Sequence, residues 1–383
     1  MTHRTRAVFP PPSPPVGGHA DPTYALTGDV FTRLLTEGPE TGAAVAVVHD
    51  GRLVLDLYGG WQDDTAAWST QTLAPLFCLG KPIAALAVLS LVSRGRIDLD
   101  MPVGAYWPAF AASGKDQILV RHLLSHTAGL PAFPVPRSTG HIPDWETLVA
   151  DLAAARPEWP VPGITMAEHA FTFGHLLGEL VRRVDGRPLD VFLAEEIAGP
   201  HGLDIALRLT AAQAVRAVDV RHADTDWLPR TVGPAYTLRH RALDNPTGLL
   251  DPVVLNTDWC RAAPLPAVNI HATAVAVARL FAGVLRGGHG LIAAEYARAM
   301  SQVQARGYDL VLDQPVARGL GVTVGPDGSW GMAAIGGNLL NIHPGTGQVF
   351  VYLSQRLADD AAATTMLRAV RACAATASCP GMV

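Results

Sequence analysis

Residues 76–100 read LFCLGKPIAALAVLSLVSRGRIDLD. From Ile83 to Val92 the run is apolar apart from Ser90, so a helix here has no polar face, and a helix that is apolar all round is one enclosed by protein. Pro82 suits a first-turn position and Gly95 a stop, which predicts one buried helix with its start near Cys78. Cys78 and Lys81 stand three residues apart at that start, a spacing that puts both side chains on one face with Cβ atoms roughly 5–6 Å apart. The helix N-terminus and an adjacent ammonium both favour the thiolate over a thiol whose free pKa is about 8.5. The same pair alone also fits a small buried cysteine beside a solvated lysine, because free Cys is among the most buried residue types.

Working outward, residues 43–58, AAVAVVHDGRLVLDLY, are two apolar runs around Asp50-Gly51, the strongest short-range signal for an antiparallel hairpin. Residues 120–131, VRHLLSHTAGLP, form a short helix that stops at Gly129 and Pro131. Between about residues 132 and 265 the chain is rich in Pro, Arg and Asp and carries two helical patterns, FTFGHLLGELVRRV and LDVFLAEEIAGPHGL. Past it come an amphipathic helix, HATAVAVARLFAGVLRGG, strand-like runs RGLGVTV, LLNIHP and GQVFVYLSQRL, and a last apolar helix, AATTMLRAVRACAA. Strands at both ends around a helical middle predict an α/β fold, an antiparallel sheet flanked by helices and completed by the C-terminal third, with an inserted mostly helical sub-domain. The expected parts are a flexible arm over residues 1–24, an α/β sub-domain over 25–115 and 266–383, and a helical sub-domain over 116–265.

Length and composition fit a compact chain with a large core: 383 residues, 49% hydrophobic and 16% charged. A formal charge of −5 with scattered Lys and Arg gives no basic stripe, which argues against nucleic acid and for small-molecule partners. The N-terminus has basic residues and prolines without an apolar h-region, and no 18-residue apolar stretch occurs, so no membrane association and a cytoplasmic location are expected. Four cysteines, Cys78, Cys260, Cys373 and Cys379, are too few and too irregular for a disulfide framework or a zinc site and are read as free thiols. His122 and His126 are i, i+4, but no Glu between them and no third ligand supports a metal site; His126 is read as a core histidine. Neither a metal nor a cofactor is expected.

In order along the chain, VAVVHDGRLVLDLYGG, FCLGKPIAALAVLSLVSRGRIDLDMPVGAYWPAF, VRHLLSHTAGLP, the Pro-Gly at 162–163 leading into EHAFTFGHLLGELVRRVDGRPLD, and GPDGSWGMAAIGGNLLNIHPGTGQVFVYL resemble the serine β-lactamase and penicillin-binding-protein superfamily. The likeness is to its class C β-lactamase, carboxylesterase and natural-product acyltransferase branch, and it covers most of residues 40–355. The resemblance sets the family's Ser-x-x-Lys on Cys78-Leu79-Gly80-Lys81, its Tyr motif on Glu168-His169-Ala170 and its Lys-Thr-Gly or His-x-Gly strand motif on Met332-Ala333-Ala334. The nucleophile becomes sulfur, the phenol a carboxylate, and the strand motif loses its polar group. By the same analogy the oxyanion donors are the amides of Cys78 and of Ile335 or Gly336, and His169 and Asn269 approach the ligand.

A thiol is already partly ionised at neutral pH and needs less help from a base than a hydroxyl does, so the substitutions read as compensatory. The resemblance therefore implies acyl transfer with Cys78 as nucleophile, Lys81 as charge partner and Glu168 as general acid/base. An ester or thioester donor, carrier-protein-bound donors included, would pass its acyl group to an amine or alcohol in specialised-metabolite (antibiotic) biosynthesis. Met332, Ala334, Ile335 and Gly336 would line the substrate site with His169 and Asn269. A cysteine-dependent esterase or amidase, and a binding protein that kept the cleft and lost the chemistry, are the alternatives.

Overall fold

The computed structural model describes residues 14–288 and 290–377. Its centre is the expected hairpin. Strands β2 (Gly42–His49) and β3 (Arg52–Gly60) pair antiparallel, and the turn between them has positive φ at both Asp50 (48°) and Gly51 (80°), the backbone that a two-residue Asp-Gly connection favours. Every residue of β2 from Gly42 to Val48 is buried, because both faces of the sheet are covered. Ala44, Ala46 and Val48 face one core, Val45 and Val47 the other, as the period of two requires.

The N-terminal strand β1 (Val16–Ala20) adds to β3, and the C-terminal third supplies β4 (Ala305–Asp309), β5 (Gln314–Arg318), β6 (Thr323–Val324), β7 (Trp330–Ala333), β8 (Leu339–His343) and β9 (Gln348–Ser354). The resulting nine-stranded antiparallel sheet has the order β1-β3-β2-β9-β8-β7-β6-β5-β4. β9 closes it by lying against β2 with Val351 opposite Ala46, so the two ends of the chain build one sheet. Helices α1 (Ala25–Thr36) and α7 (Ala361–Ala377) cover one face through Phe31, Leu35, Met366 and Val370.

The other face carries α2 (Gly80–Ser93), α4 (Thr172–Asp185) and α6 (Ala274–Leu285), with the short α3 (Val120–Leu124) leading toward α4. Gly80 to Val92 of α2 are all buried, and α4 packs along it. Residues 189–203 begin as a helical turn at Leu189–Phe192 and continue as a π turn over Leu193–Ala198. A small three-stranded sheet, Ala74–Pro75, Ile270–Ala272 and Ile205–Leu207, ties the helical region to the segment before α2.

Two expectations change. Of the N-terminal arm, residues 1–13 lie outside the described residues, but Val16–Ala20 is a sheet strand, Tyr24 is buried and its hydroxyl bonds His49 Nδ1 at 2.8 Å. RGLGVTV is not one strand: Arg318 ends β5, and Gly319–Val322 turns the chain toward β6. Cys78 and Cys260 are free thiols, while Cys379 lies outside the described residues. Among the described residues no helix is long and apolar enough to cross a membrane.

Candidate active site

Cys78 lies in a 3₁₀ turn, Phe77–Leu79, that runs directly into α2. The turn is pinned from outside: Leu76 N–H donates to Ile270 O at 2.7 Å, Phe77 N–H to Val268 O at 3.2 Å, and the Asn338 amide to Pro75 O at 2.9 Å. Phe77 is held at φ 48°, a left-handed backbone that a bulky residue adopts only where its surroundings impose it, and such residues cluster at functional sites. The consequence is that Cys78 is half-buried and opens onto a cavity of about 330 Å³, shared with Glu168, Arg239, Trp330, Met332 and Ala333.

Lys81 is fully buried beneath it, one turn along, with Nζ 3.2 Å from Cys78 Sγ and in a second, short bond to Glu168 Oε1. Burial alone would depress the ammonium, but the sulfur of Cys78 and the carboxylate of Glu168 outweigh it, and the Lys81 pKa is raised. Lys81 is a cation at neutral pH.

Glu168 is fixed from three sides. Its Oε2 takes a short bond from Arg318 Nη2, Arg318 also reaches Asp309 Oδ2 at 3.0 Å, and the Glu168 N–H donates to Asp309 Oδ1 at 2.9 Å. Asp309 Oδ1 further accepts the amides of Val311 and Leu312, both at 3.0 Å, so one carboxylate ties the turn after β4 to the backbone of Glu168. Burial would raise the Glu168 carboxyl, but the charges of Arg318, His126 and Lys81 hold it well below the usual carboxylate range. Burial keeps His126 itself neutral, so at neutral pH the cations that hold Glu168 are Arg318 and Lys81. A carboxylate this firmly anionic is a poor acceptor for a substrate proton, and the acid–base role expected of Glu168 does not suit the arrangement. It serves instead as counter-ion that keeps Lys81 charged.

Arg318 and Asp309 escaped sequence reading because they join Glu168 across separations of 150 and 141 residues. Removing the guanidinium leaves two buried carboxylates short of a partner, so Arg318→Met is expected to cost about 3–5 kcal/mol of folding stability, whereas Arg318→Met combined with Glu168→Gln recovers part of that loss. Urea unfolding of the two variants at neutral pH measures both.

The remaining expected residues divide. Met332 and Ile335 line the cavity. His169 is fully buried, with Nε2 accepting the Leu130 amide at 3.2 Å, so its ring braces the segment after α3 and does not reach the ligand space. Asn269 is 3% exposed and spends its amide on the carbonyls of Cys260, Arg261 and Ala263 at 2.7, 3.0 and 3.0 Å, which makes it a buried bracket away from the cleft. Gly336 packs toward Leu357 and Phe77, and Ala334 gives its amide to Asn338 O at 2.9 Å; neither lines the cavity. His122 and His126 are each used by a backbone amide, from Leu119 at 3.1 Å and His169 at 2.9 Å.

That bond of Ala334 also sets the amide pattern of β7. Hydrogen bonding alternates along an antiparallel strand, so Trp330, Met332 and Ala334 turn their amides to β8, and Gly331 and Ala333 turn theirs to the opposite edge. There β6 stops at Thr323, opposite Gly331, short of Ala333. The amide free to face the cavity beside Cys78 is therefore that of Ala333, two residues before the expected Ile335.

A half-buried thiol with an ammonium in contact with it, at a helix start beside a strand edge, set in a sheet-and-helix frame, defines a class. The beta-lactamase family model matches residues 30–374, and the chain belongs to that family, with its α/β fold of a large antiparallel sheet flanked by helices. It is similar to the Esterase/beta-lactamase LipL of Mycobacterium tuberculosis, 31% identical over 288 residues that take in 71% of this chain and 65% of LipL, so the chain spans just under two thirds of that relative. Among solved structures it is similar to a family VIII carboxylesterase, at 26% identity and a TM-score of 0.84 over 94% of this chain and all of that one. A penicillin-binding-protein homologue from Caulobacter crescentus is 30% identical, with a TM-score of 0.79 over 95% of this chain and 100% of its own.

Proposed function

We propose that the chain is an acyl-transfer enzyme in which Cys78 takes the place of the family's serine. The observation that carries this is the contact of Cys78 Sγ with Lys81 Nζ at 3.2 Å, at the floor of a cavity and at a helix start. A sulfur nucleophile needs less help from a base than a hydroxyl does. The thiolate attacks the carbonyl carbon of an ester or thioester; the amides of Cys78 and Ala333 receive the developing oxyanion; the bond to the leaving group breaks, and that group departs as an alcohol or a thiol with the proton it takes from Lys81. An amine or alcohol then attacks the acyl-Cys78 thioester and gives its proton to the neutral Lys81, and thiolate and ammonium are restored.

Sulfur conjugates poorly with a carbonyl, so the acyl-enzyme favours amines over water, and transfer is the first reading. Hydrolysis is the second, because LipL and the family VIII carboxylesterase are esterases by name. The donor and acceptor are small molecules, the donor including one presented on a carrier protein, and a specialised-metabolite pathway in the reducing cytoplasm fits an enzyme that depends on a free thiol.

Intact mass after incubation with a panel of activated esters and thioesters is the test. The expected result is a single acyl adduct that is absent from Cys78→Ala; adduct formation in Cys78→Ala, or none in the wild type across the panel, overturns the covalent reading. With an amine acceptor added, amide is the expected product, and free acid alone leaves the esterase.

A further inference from the structure

Among the described residues one cation lining the cavity, Arg239, has no ion-pair partner. Lys81 and Arg318 are matched by Glu168 and Asp309. Arg239, on the short helix α5 (Leu238–Leu243), opens onto the same cavity as Cys78 and is half-buried. Its Nε donates to Thr231 O at 2.7 Å, which fixes the plane of the guanidinium, and among the described residues its terminal nitrogens meet no carboxylate. The walls between it and Cys78 are otherwise largely apolar, with Leu243, Leu312, Val316, Trp330 and Met332.

A planar cation with two unused donor nitrogens at the edge of an apolar cavity matches a carboxylate or a phosphate, which it engages in paired, charge-assisted hydrogen bonds. The geometry points to an acyl donor built from an apolar acyl chain and an anionic group, with the chain against the apolar walls and the anion on Arg239. This rests on the acyl-transfer reading only for the ligand's being a donor; the anion site stands on the unmatched guanidinium. The anion comes from one of two places, the far end of the acyl group or the leaving group. In the second case the donor is a phosphate-bearing thioester of the kind that carrier-bound acyl groups present.

Three thioesters with a six-carbon acyl group decide it: the neutral hexanoyl thioester of N-acetylcysteamine, the adipoyl thioester of the same thiol, with a terminal carboxylate, and hexanoyl phosphopantetheine. The readout is kcat/KM for acyl-Cys78 formation. One anionic donor is expected to exceed the neutral one by about tenfold or more, and which one gains tells where the anion sits. In Arg239→Gln the ratio falls toward one while the neutral donor is little affected, and Arg239→Lys keeps part of the gain. A role confined to bracing Thr231 would lower all three donors alike, so an unchanged ratio in Arg239→Gln overturns the proposal, as does a wild type that prefers the neutral donor. Should no donor load Cys78, the acyl-transfer reading fails, and calorimetric binding of hexanoate and hexyl phosphate against hexanol then decides: preference for an anion lost in Arg239→Gln sustains the site, and equal binding removes it.

Discussion

Exchange of Cys78 for serine is expected to lower kcat/KM for acyl transfer by about 10³-fold with little change in stability, although the family's nucleophile is a hydroxyl. The reason lies in the two groups that surround the sulfur. A hydroxyl becomes nucleophilic only when a base takes its proton, and a positioned base contributes roughly 10²–10⁴-fold. Here Lys81 holds its proton, with its pKa raised by Cys78 and Glu168 against the effect of burial, and Glu168 is held as an anion by Arg318 and Lys81. Neither is a base for a serine at neutral pH. A thiol needs much less help from a base than a hydroxyl does. Steady-state rates of wild type and Cys78→Ser on one thioester, with unfolding midpoints as a control, check this; a serine variant within tenfold of wild type means that a base is present and that the sulfur is incidental.

How far this site could be read in advance depends on the range of each interaction. Cys78 and Lys81 are neighbours on one helical turn, so their spacing alone predicts the contact observed at 3.2 Å. The hairpin is equally local, because Asp50-Gly51 dictates its own turn, and the burial of α2 follows from a sequence with no polar side to expose. What surrounds Glu168 is not local. Arg318 closes an antiparallel strand and Asp309 another, and nothing in QARGYDL or RGLGVTV indicates that both would be folded against Glu168, in the segment before α4 and 141 or more residues earlier. The β7 register shows a different limit: the resemblance carried the motif onto Met332-Ala333-Ala334, but the amide that faces the cavity is decided by which residues β8 consumes, and Ala334 is one of them. The N-terminal strand eluded composition for a related reason, since Val16–Ala20 joins the sheet through backbone bonds along β3 and presents glycines, not a buried apolar face.

Acidification from pH 6.5 to about 4 is expected to remove at least about 5 kcal/mol of folding stability, enough to unfold a domain at the low end of the usual stability range. Three histidines with folded values near 4 supply most of it, and His126, which burial also keeps neutral, adds to the same loss. Burial depresses His169, His175 and His271 each to about 4. His175 lies stacked on Trp145 at 4.8 Å, and His169 must keep Nε2 unprotonated to accept the Leu130 amide. An imidazole whose folded pKa lies below its unfolded value of about 6.5 binds a proton more readily in the unfolded chain, so its stability is complete above pH 6.5 and is lost as the pH falls to the folded value, about 3 kcal/mol for each ring. Glu40 works in the opposite direction. Burial raises it to about 7, against a bond from Ser354 Oγ at 2.7 Å, so the folded state takes up its proton first and gains stability between about pH 7 and 4.5. That gain offsets about one histidine. Glu168 adds a further loss only below about pH 4.5, where the unfolded carboxyl begins to protonate ahead of the folded one. Urea unfolding at intervals from pH 7.5 to 4.5 is expected to give midpoints that fall steadily below 6.5, and His175→Phe, which keeps a ring against Trp145 but cannot titrate, is expected to shrink the fall by about a third to a half. A flat profile over that range, or a slope that His175→Phe leaves unchanged, would mean that these rings ionise freely inside the folded protein.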